Sequence, residues 1–124
     1  MSEINNNFFQ KLNHLIESKQ YKRLRFEVEM NGNVESQHLL VIFFYASSFY
    51  LDEESSNEQL LYCSSLFEKV YLFDKKKLQP LYNIIAVSFK TKIFARALPL
   101  ALEAYEKNPN DLKLIEGLAR INGF

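Results

Sequence analysis

Residues 78–111, LQPLYNIIAVSFKTKIFARALPLALEAYEKNPND, decide the fold of this chain. Apolar and small residues of this stretch recur 34 positions away on both sides. A shift of 34 positions places Leu60, Cys63, Phe67 and Val70 on Phe94, Ala97, Ala101 and Ala104. The same shift places Leu81, Ile84 and Ile85 on Ile115, Leu118 and Ala119. A constant period of this length is typical of stacked two-helix units, each of which buries its apolar face against its neighbours.

The rest of the 124-residue chain is also predicted to be helical. The whole chain contains only three Gly and three Pro, and its apolar residues follow three-and-four spacing. We expect about seven helices, near residues 8–16, 21–28, 36–51, 58–73, 78–92, 94–107 and 112–121. The third of these is apolar nearly all round and rich in β-branched and aromatic residues, so a buried strand is the alternative there. Asn57 is the expected cap of the fourth helix, and Pro99 predicts a late start or a mild kink in the sixth.

One segment resembles a known repeat family. Large and small residues lie at the spacing of a tetratricopeptide repeat, namely Leu81, Ile84, Ile85, Ser88, Phe94, Ala97, Ala101, Ala104 and Pro109. The identities are looser than the spacing, since Ile85, Ser88 and Ala101 stand where the family has a small residue, Tyr and an aromatic residue. The resemblance implies one domain over residues 1–124, an antiparallel helix-hairpin solenoid with units at about 5–34, 36–77, 78–111 and a partial or capping unit at 112–124. A helical bundle of another topology is the alternative.

Composition limits the classes of function. Fifteen basic and fifteen acidic residues cancel, so no overall field attracts nucleic acid or an anionic membrane. The single cysteine, Cys63, fits a reducing compartment, and no apolar run approaches the roughly 20 residues that span a bilayer. We therefore expect a cytoplasmic protein with no membrane or nucleic-acid partner.

Candidates for catalysis are few. His14, His38 and Cys63 are widely separated in sequence, and no glycine-rich phosphate loop occurs. The remaining charged clusters are interpreted as solvated surface: Asp52 to Glu54, Lys75 to Lys77, and the group Lys22, Arg23 and Arg25. We expect no enzymatic activity, no cofactor and no metal site.

The resemblance implies a binding groove instead. In the family, the first helix of each unit lines a concave surface that holds a peptide or a partner helix. Carried over to this chain, the groove residues are Asn13, Phe43, Ser47, Tyr82, Asn83, Lys90, Lys113 and Arg120. Aromatic residues lie at one end and basic residues at the other, which predicts a protein or peptide partner, with an acidic peptide among the candidates. Phe43 fits the core equally well.

A subset of the family grips a free C-terminal carboxylate with five polar residues. Only Asn83 and Lys113 match that set, since Phe43, Ser47 and Gly117 replace the others, so we do not expect the full clamp. The leading hypothesis is a non-catalytic protein-interaction module or scaffold. The alternatives are the N-terminal segment of a larger enzyme, such as a glycosyl- or sulfotransferase, and a homo-oligomer formed through the last helix.

Overall fold

The computed structural model describes residues 6–122, and within that range it contains seven α-helices, one short 3₁₀ turn and no strand. The helices are α1 (Asn6–Glu17), α2 (Tyr21–Glu29), α3 (Leu39–Leu51), α4 (Asn57–Phe73), α5 (Gln79–Thr91), α6 (Ala97–Lys107) and α7 (Leu112–Asn122), and the 3₁₀ turn is Val34–Ser36. The all-α prediction is confirmed. The apolar third segment is a helix of thirteen residues, a length that is typical of a helix and long for a buried strand.

Local sequence sets where α4 and α6 begin. The cap of α4 is Ser56 and not the expected Asn57, because the Ser56 hydroxyl accepts the Gln59 amide at 3.1 Å while the Gln59 side chain accepts the Ser56 amide at 2.8 Å. This reciprocal pair is a capping box. In α6, Pro99 lies in the first turn, where a missing amide breaks no intrahelical bond, so the late start is confirmed.

Side chains close the connection between α2 and α3. Gly32 has φ +114°, a conformation that L-residues rarely adopt, and the chain reverses there. The Gln37 side-chain amide donates to the carbonyls of Val28 at 2.9 Å and Gly32 at 3.1 Å, which supplies donors at the end of α2. His38 Nδ1 then accepts the Leu40 amide at 3.0 Å and caps α3. His38 is therefore a structural residue in this connection.

The described chain divides into two compact units, of which the first ends at Leu66 and the second begins at Phe67, inside α4. In the first unit α1, α2 and α3 contact one another. Its buried apolar side chains are Leu12, Leu15, Leu24, Val28, Val41, Ile42, Tyr45, Ala46, Phe49, Leu60, Cys63 and Leu66.

Arg25 in the first unit differs from the solvated surface residue that the sequence predicts. Its side chain and that of Asp52 are each only 12% exposed, and they pair at 3.0 Å. The same guanidinium donates to the carbonyl of Ser48 at 3.0 Å and lies 4.6 Å from the ring centroid of Phe49. Arg25 therefore ties α2 to the last turn of α3.

The second unit packs three successive helices together, with α5 against α6, α6 against α7, and α5 against α7. Its buried apolar side chains are Phe67, Tyr71, Leu81, Ile84, Ile85, Val87, Ala97, Ala101, Ala104, Leu114 and Leu118. The three alanines all lie on α6, where short side chains let helix axes approach near the lower end of the usual range of about 8–10 Å. Two charged pairs, Lys75 with Glu103 and Arg96 with Glu68, cover this unit at its surface.

Candidate binding pocket between α5 and α7

A pocket of about 290 Å³ lies where α5 and α7 meet in the second unit. From α5 it is lined by Tyr82, Ile85, Ala86 and Phe89, and from α7 by Lys113, Glu116, Gly117 and Arg120. These residues recur at three- and four-residue intervals, so each set forms one face of its helix. The α5–α7 pocket, defined by these eight residues, is the candidate site.

Two stacked pairs of side chains frame the pocket. The ammonium of Lys113 lies 4.9 Å from the ring centroid of Tyr82, and the guanidinium carbon of Arg120 lies 4.3 Å from that of Phe89. On α5, Phe89 lies seven residues after Tyr82, and on α7, Arg120 lies seven residues after Lys113. Because both steps run in the same direction, α5 and α7 are parallel. Seven helical residues rise by about 10 Å, which separates the two cation–aromatic pairs by two turns.

The floor of the pocket is apolar and depends on Gly117. A Cβ atom at this glycine would lie 3.2 Å from Cγ2 and 3.5 Å from Cδ1 of Ile85, so the missing side chain is what allows α7 to approach α5. Ile85 is a large residue on α5, and the residue without a side chain lies opposite it on α7. Bulk on one helix is thus matched by space on the other.

Tyr82 also fixes the start of α7. Its hydroxyl donates to Asp111 Oδ2 at 2.6 Å, while Asp111 Oδ1 accepts the Leu114 amide at 3.0 Å and caps the helix. Burial, followed by the hydrogen bond to Asp111, raises the pKa of Tyr82 to about 12. In turn, the hydrogen bond from Tyr82 is the main cause that lowers the pKa of Asp111. The tyrosine is therefore held in one orientation with its ring beneath Lys113.

A cation lies at each end of the pocket. Across residues 6–122, neither Lys113 nor Arg120 forms an ion pair with a carboxylate. Glu116 lies between them on the same face of α7 and is exposed. Among the lining residues, two cations thus flank a single carboxylate and an apolar floor. Asp111, just outside the lining, also interacts with the charge of Lys113, which, after the hydrogen bond from Tyr82, contributes to the lowered pKa of Asp111.

Three of the groove residues predicted from the sequence meet in this pocket: Tyr82, Lys113 and Arg120. The other two on α5 do not line it. Asn83 is buried and its side-chain oxygen accepts from Gln79 at 2.9 Å, whereas Lys90 is exposed next to the pocket-lining Phe89.

The remaining predicted groove residues lie in the first unit. Asn13 is exposed on α1 and donates to Glu17 at 3.3 Å. Phe43 is half-buried on α3, and the buried Ser47 bonds back to the Phe43 carbonyl at 2.8 Å. Sequence reasoning missed Ile85, Phe89 and Glu116, although the seven-residue step from Tyr82 to Phe89 is visible in the sequence.

The histidines and the cysteine do not line the pocket. His38 caps α3 and contacts the Phe9 ring edge-on at 5.5 Å, and His14 is exposed on α1. Cys63 is fully buried, with its thiol 3.1 Å from the Leu60 carbonyl. Among residues 6–122 no cluster of His, Cys, Asp and Glu is arranged to hold a metal ion, and no helix there is long and apolar enough to cross a membrane.

The α5–α7 pocket combines aromatic surface, an apolar floor and cations, a set that can bury a side chain and pair with an anion. The volume of the pocket is near the lower end of the range for ligand pockets, about 300 Å³. Comparisons of the chain with protein-family models, with curated proteins and with solved structures gave no match.

Proposed function

We propose that this protein is a non-catalytic interaction module that binds a peptide segment of a partner protein in the α5–α7 pocket. The observation that carries the proposal is the pocket itself, where two aromatic rings, two cations and an apolar floor face one cleft. No cofactor is needed for such binding, because burial of apolar area and pairing of charges provide the free energy.

The sequence period supports the same location. Residues 78 and 112 begin two successive predicted units, so α5 and α7 are the first helices of those units and α6 is the second helix between them. The parallel course of α5 and α7 with α6 in contact with both is what two successive hairpins would produce. In the resembled repeat family, first helices are the ones that carry the binding surface.

The aromatic rings are the expected anchors. Tyr82 and Phe89 are half-buried without a ligand, so each keeps apolar surface for a partner to cover. At about 25 cal/mol per Å², covering 100 Å² of that surface contributes about 2.5 kcal/mol before the costs of association. Tyr82 is fixed by its hydrogen bond to Asp111, and Phe89 packs edge-on against Phe94 with 5.4 Å between ring centroids, so little side-chain entropy is lost on binding.

Location is part of the proposal. Cys63, the single cysteine of the chain, is buried and has no second cysteine with which to form an internal disulfide, which fits a reducing compartment, and we propose a cytoplasmic location on that basis. Oxidation of so buried a thiol would require opening of the first unit.

Selection from a random peptide library displayed on phage, with the purified chain as bait, tests the proposal. The variants are Phe89→Ala, Lys113→Ala and, as the matched control, Phe73→Ala, which removes a 77% exposed ring on α4 of the same unit. We expect selected peptides to bind wild type and Phe73→Ala equally and Phe89→Ala about tenfold more weakly. Lys113 is exposed, so Lys113→Ala is expected to keep the fold. It therefore tests the pocket even if the Phe89→Ala variant does not fold.

Two results would overturn the proposal. One is a library that yields no binder for wild type. The other is a set of binders whose affinities are unchanged in both Phe89→Ala and Lys113→Ala, with circular dichroism showing that both variants are folded.

A further inference from the structure

Resting on the proposed function, we propose that the occupant of the α5–α7 pocket is an internal peptide segment with two acidic side chains three residues apart and neutral residues between them. The motif is acid–neutral–neutral–acid, in a polyproline-II-like conformation. This names the class of partner and the spacing that the pocket selects.

The requirement for acidic groups follows from the two cations. Lys113 and Arg120 are exposed, and no carboxylate of residues 6–122 lies within ion-pair distance of either of them. Asp111 interacts with the charge of Lys113, but its two oxygens already accept from the Tyr82 hydroxyl and the Leu114 amide. Each is placed over an aromatic ring, a contact that fixes its position while leaving N–H donors free for an acceptor. A carboxylate at each end forms a charge-assisted hydrogen bond to a donor that is already positioned.

The spacing follows from helix geometry. The two cation–aromatic pairs are about 10 Å apart along the parallel helices α5 and α7. A polyproline-II segment rises about 3.1 Å per residue and completes a turn every three residues, so side chains three apart point the same way about 9 Å from each other. In a β-strand, side chains three apart point to opposite faces, which excludes that conformation for this pair.

The same distance argues against a single terminal carboxylate as the ligand. Lys113 and Arg120 are stacked on different rings two turns apart, so they do not converge on one carboxylate group. Two side-chain carboxylates, one for each cation, use both ends of the pocket.

The middle of the pocket excludes a continuous acidic run. Glu116 lies between the cations, three residues after Lys113 and four before Arg120, and it repels an acid placed opposite it. Beneath it, Ile85 and Gly117 form the apolar floor. The two central residues of the ligand are therefore neutral, and small or apolar ones fit best.

The experiment compares acetylated and amidated fluorescent peptides by anisotropy at low and physiological salt. The core sequences are Glu-Pro-Ala-Glu, the neutral Gln-Pro-Ala-Gln, the shorter and longer spacings Glu-Pro-Glu and Glu-Pro-Ala-Ala-Glu, and Glu-Glu-Glu-Glu. A further peptide has a free C-terminal carboxylate and no other acid. We expect Glu-Pro-Ala-Glu to bind about tenfold more tightly than its Gln counterpart and severalfold more tightly than the other spacings, with affinity falling as salt rises.

Variants assign the effect to the pocket. Lys113→Ala and Arg120→Ala are each expected to lower affinity for Glu-Pro-Ala-Glu about tenfold, while Lys76→Ala, which removes an exposed lysine of the α4–α5 connection, leaves it unchanged. Glu116→Gln is expected to improve binding of Glu-Glu-Glu-Glu more than that of Glu-Pro-Ala-Glu, because it removes the central repulsion.

The outcomes separate this inference from the proposed function. Equal affinity for the Glu and Gln peptides, or equally tight binding of the peptide whose only acid is its C-terminal carboxylate, overturns the acidic motif. The proposed function survives that result if binders selected from the library still depend on Phe89. Equal affinity for all three spacings overturns the two-site geometry. A library without binders overturns the function and, with it, this motif.

Discussion

Replacing Arg25 by Met should destabilise the first unit more than its position on a nine-residue surface helix suggests. The substitution keeps an unbranched apolar stem against Phe49 but removes the guanidinium from Ser48 and Asp52. Hydrogen bonds to charged groups contribute about 1.5–3 kcal/mol when buried, while exposed ion pairs contribute about 0–1 kcal/mol. Since both side chains are 12% exposed, we expect a loss near the buried end, about 2–3 kcal/mol in the free energy of unfolding.

The matched control is Arg23→Met on the same helix. Arg23 pairs with Glu27 at 2.9 Å, but its side chain is 60% exposed, so its removal should cost less than about 0.5 kcal/mol. Urea unfolding followed by circular dichroism measures the free energy of unfolding of both variants. Tyrosine fluorescence is a second probe, because the chain has seven Tyr and no Trp.

A double-mutant cycle with Asp52→Asn isolates the pairing. Asparagine keeps the side-chain oxygen that accepts the Glu54 amide, so the turn after α3 is preserved while the charge is lost. We expect a coupling of about 1–2 kcal/mol between positions 25 and 52. A cost for Arg25→Met no larger than that for Arg23→Met, or a coupling near zero, would refute the reasoning.

Two further predictions concern helix starts. Ser56→Ala should lower stability by about 1 kcal/mol because it breaks the capping box with Gln59, whereas Asn57→Ala should change it by less than about 0.5 kcal/mol; equal effects in urea unfolding would contradict the assignment of the cap. Tyr82→Phe removes the hydroxyl that lowers the pKa of Asp111. A carboxyl group whose pKa is lowered by folding stabilises the folded state at pH values above its unfolded pKa of about 4, and this stabilisation is lost as the pH falls below that value. The stability gap between wild type and Tyr82→Phe should therefore narrow from pH 6 to pH 3, and the gap should be independent of pH in an Asp111→Asn background; a gap that widens in acid is the contrary result.

Helices could be predicted from the sequence wherever helix-breaking residues lie at the ends of a segment whose apolar residues follow helical spacing. The turn between α1 and α2, the break after α2 at Gly32 and the late start of α6 at Pro99 all follow from short-range rules on residues a few positions apart. The cap at Ser56 was also visible, since serine followed three residues later by glutamine is the capping-box pattern. Arg25 was not predictable, because its partners Ser48 and Asp52 are more than twenty residues away and no local pattern marks them.

The candidate site was predictable in part for a related reason. The 34-residue period assigns Tyr82, Lys113 and Arg120 to first helices, and the structure brings these three to one pocket. The period does not fix helix rotation, and one residue corresponds to about 100°. Because α5 buries residues on several sides, its apolar pattern did not distinguish the face of Phe89 from that of Lys90.

Gly117 shows that the close approach of α7 to α5 is maintained against the preference of the helix that carries this glycine. Glycine inside a helix is less favourable than alanine by about 1 kcal/mol, so α7 would gain from a methyl group at this position. That methyl group would press on Ile85 and partly fill the cleft from below without altering any charge. Helix propensity and the packing of two neighbouring helices thus compete at a single atom, and the residue present favours the packing.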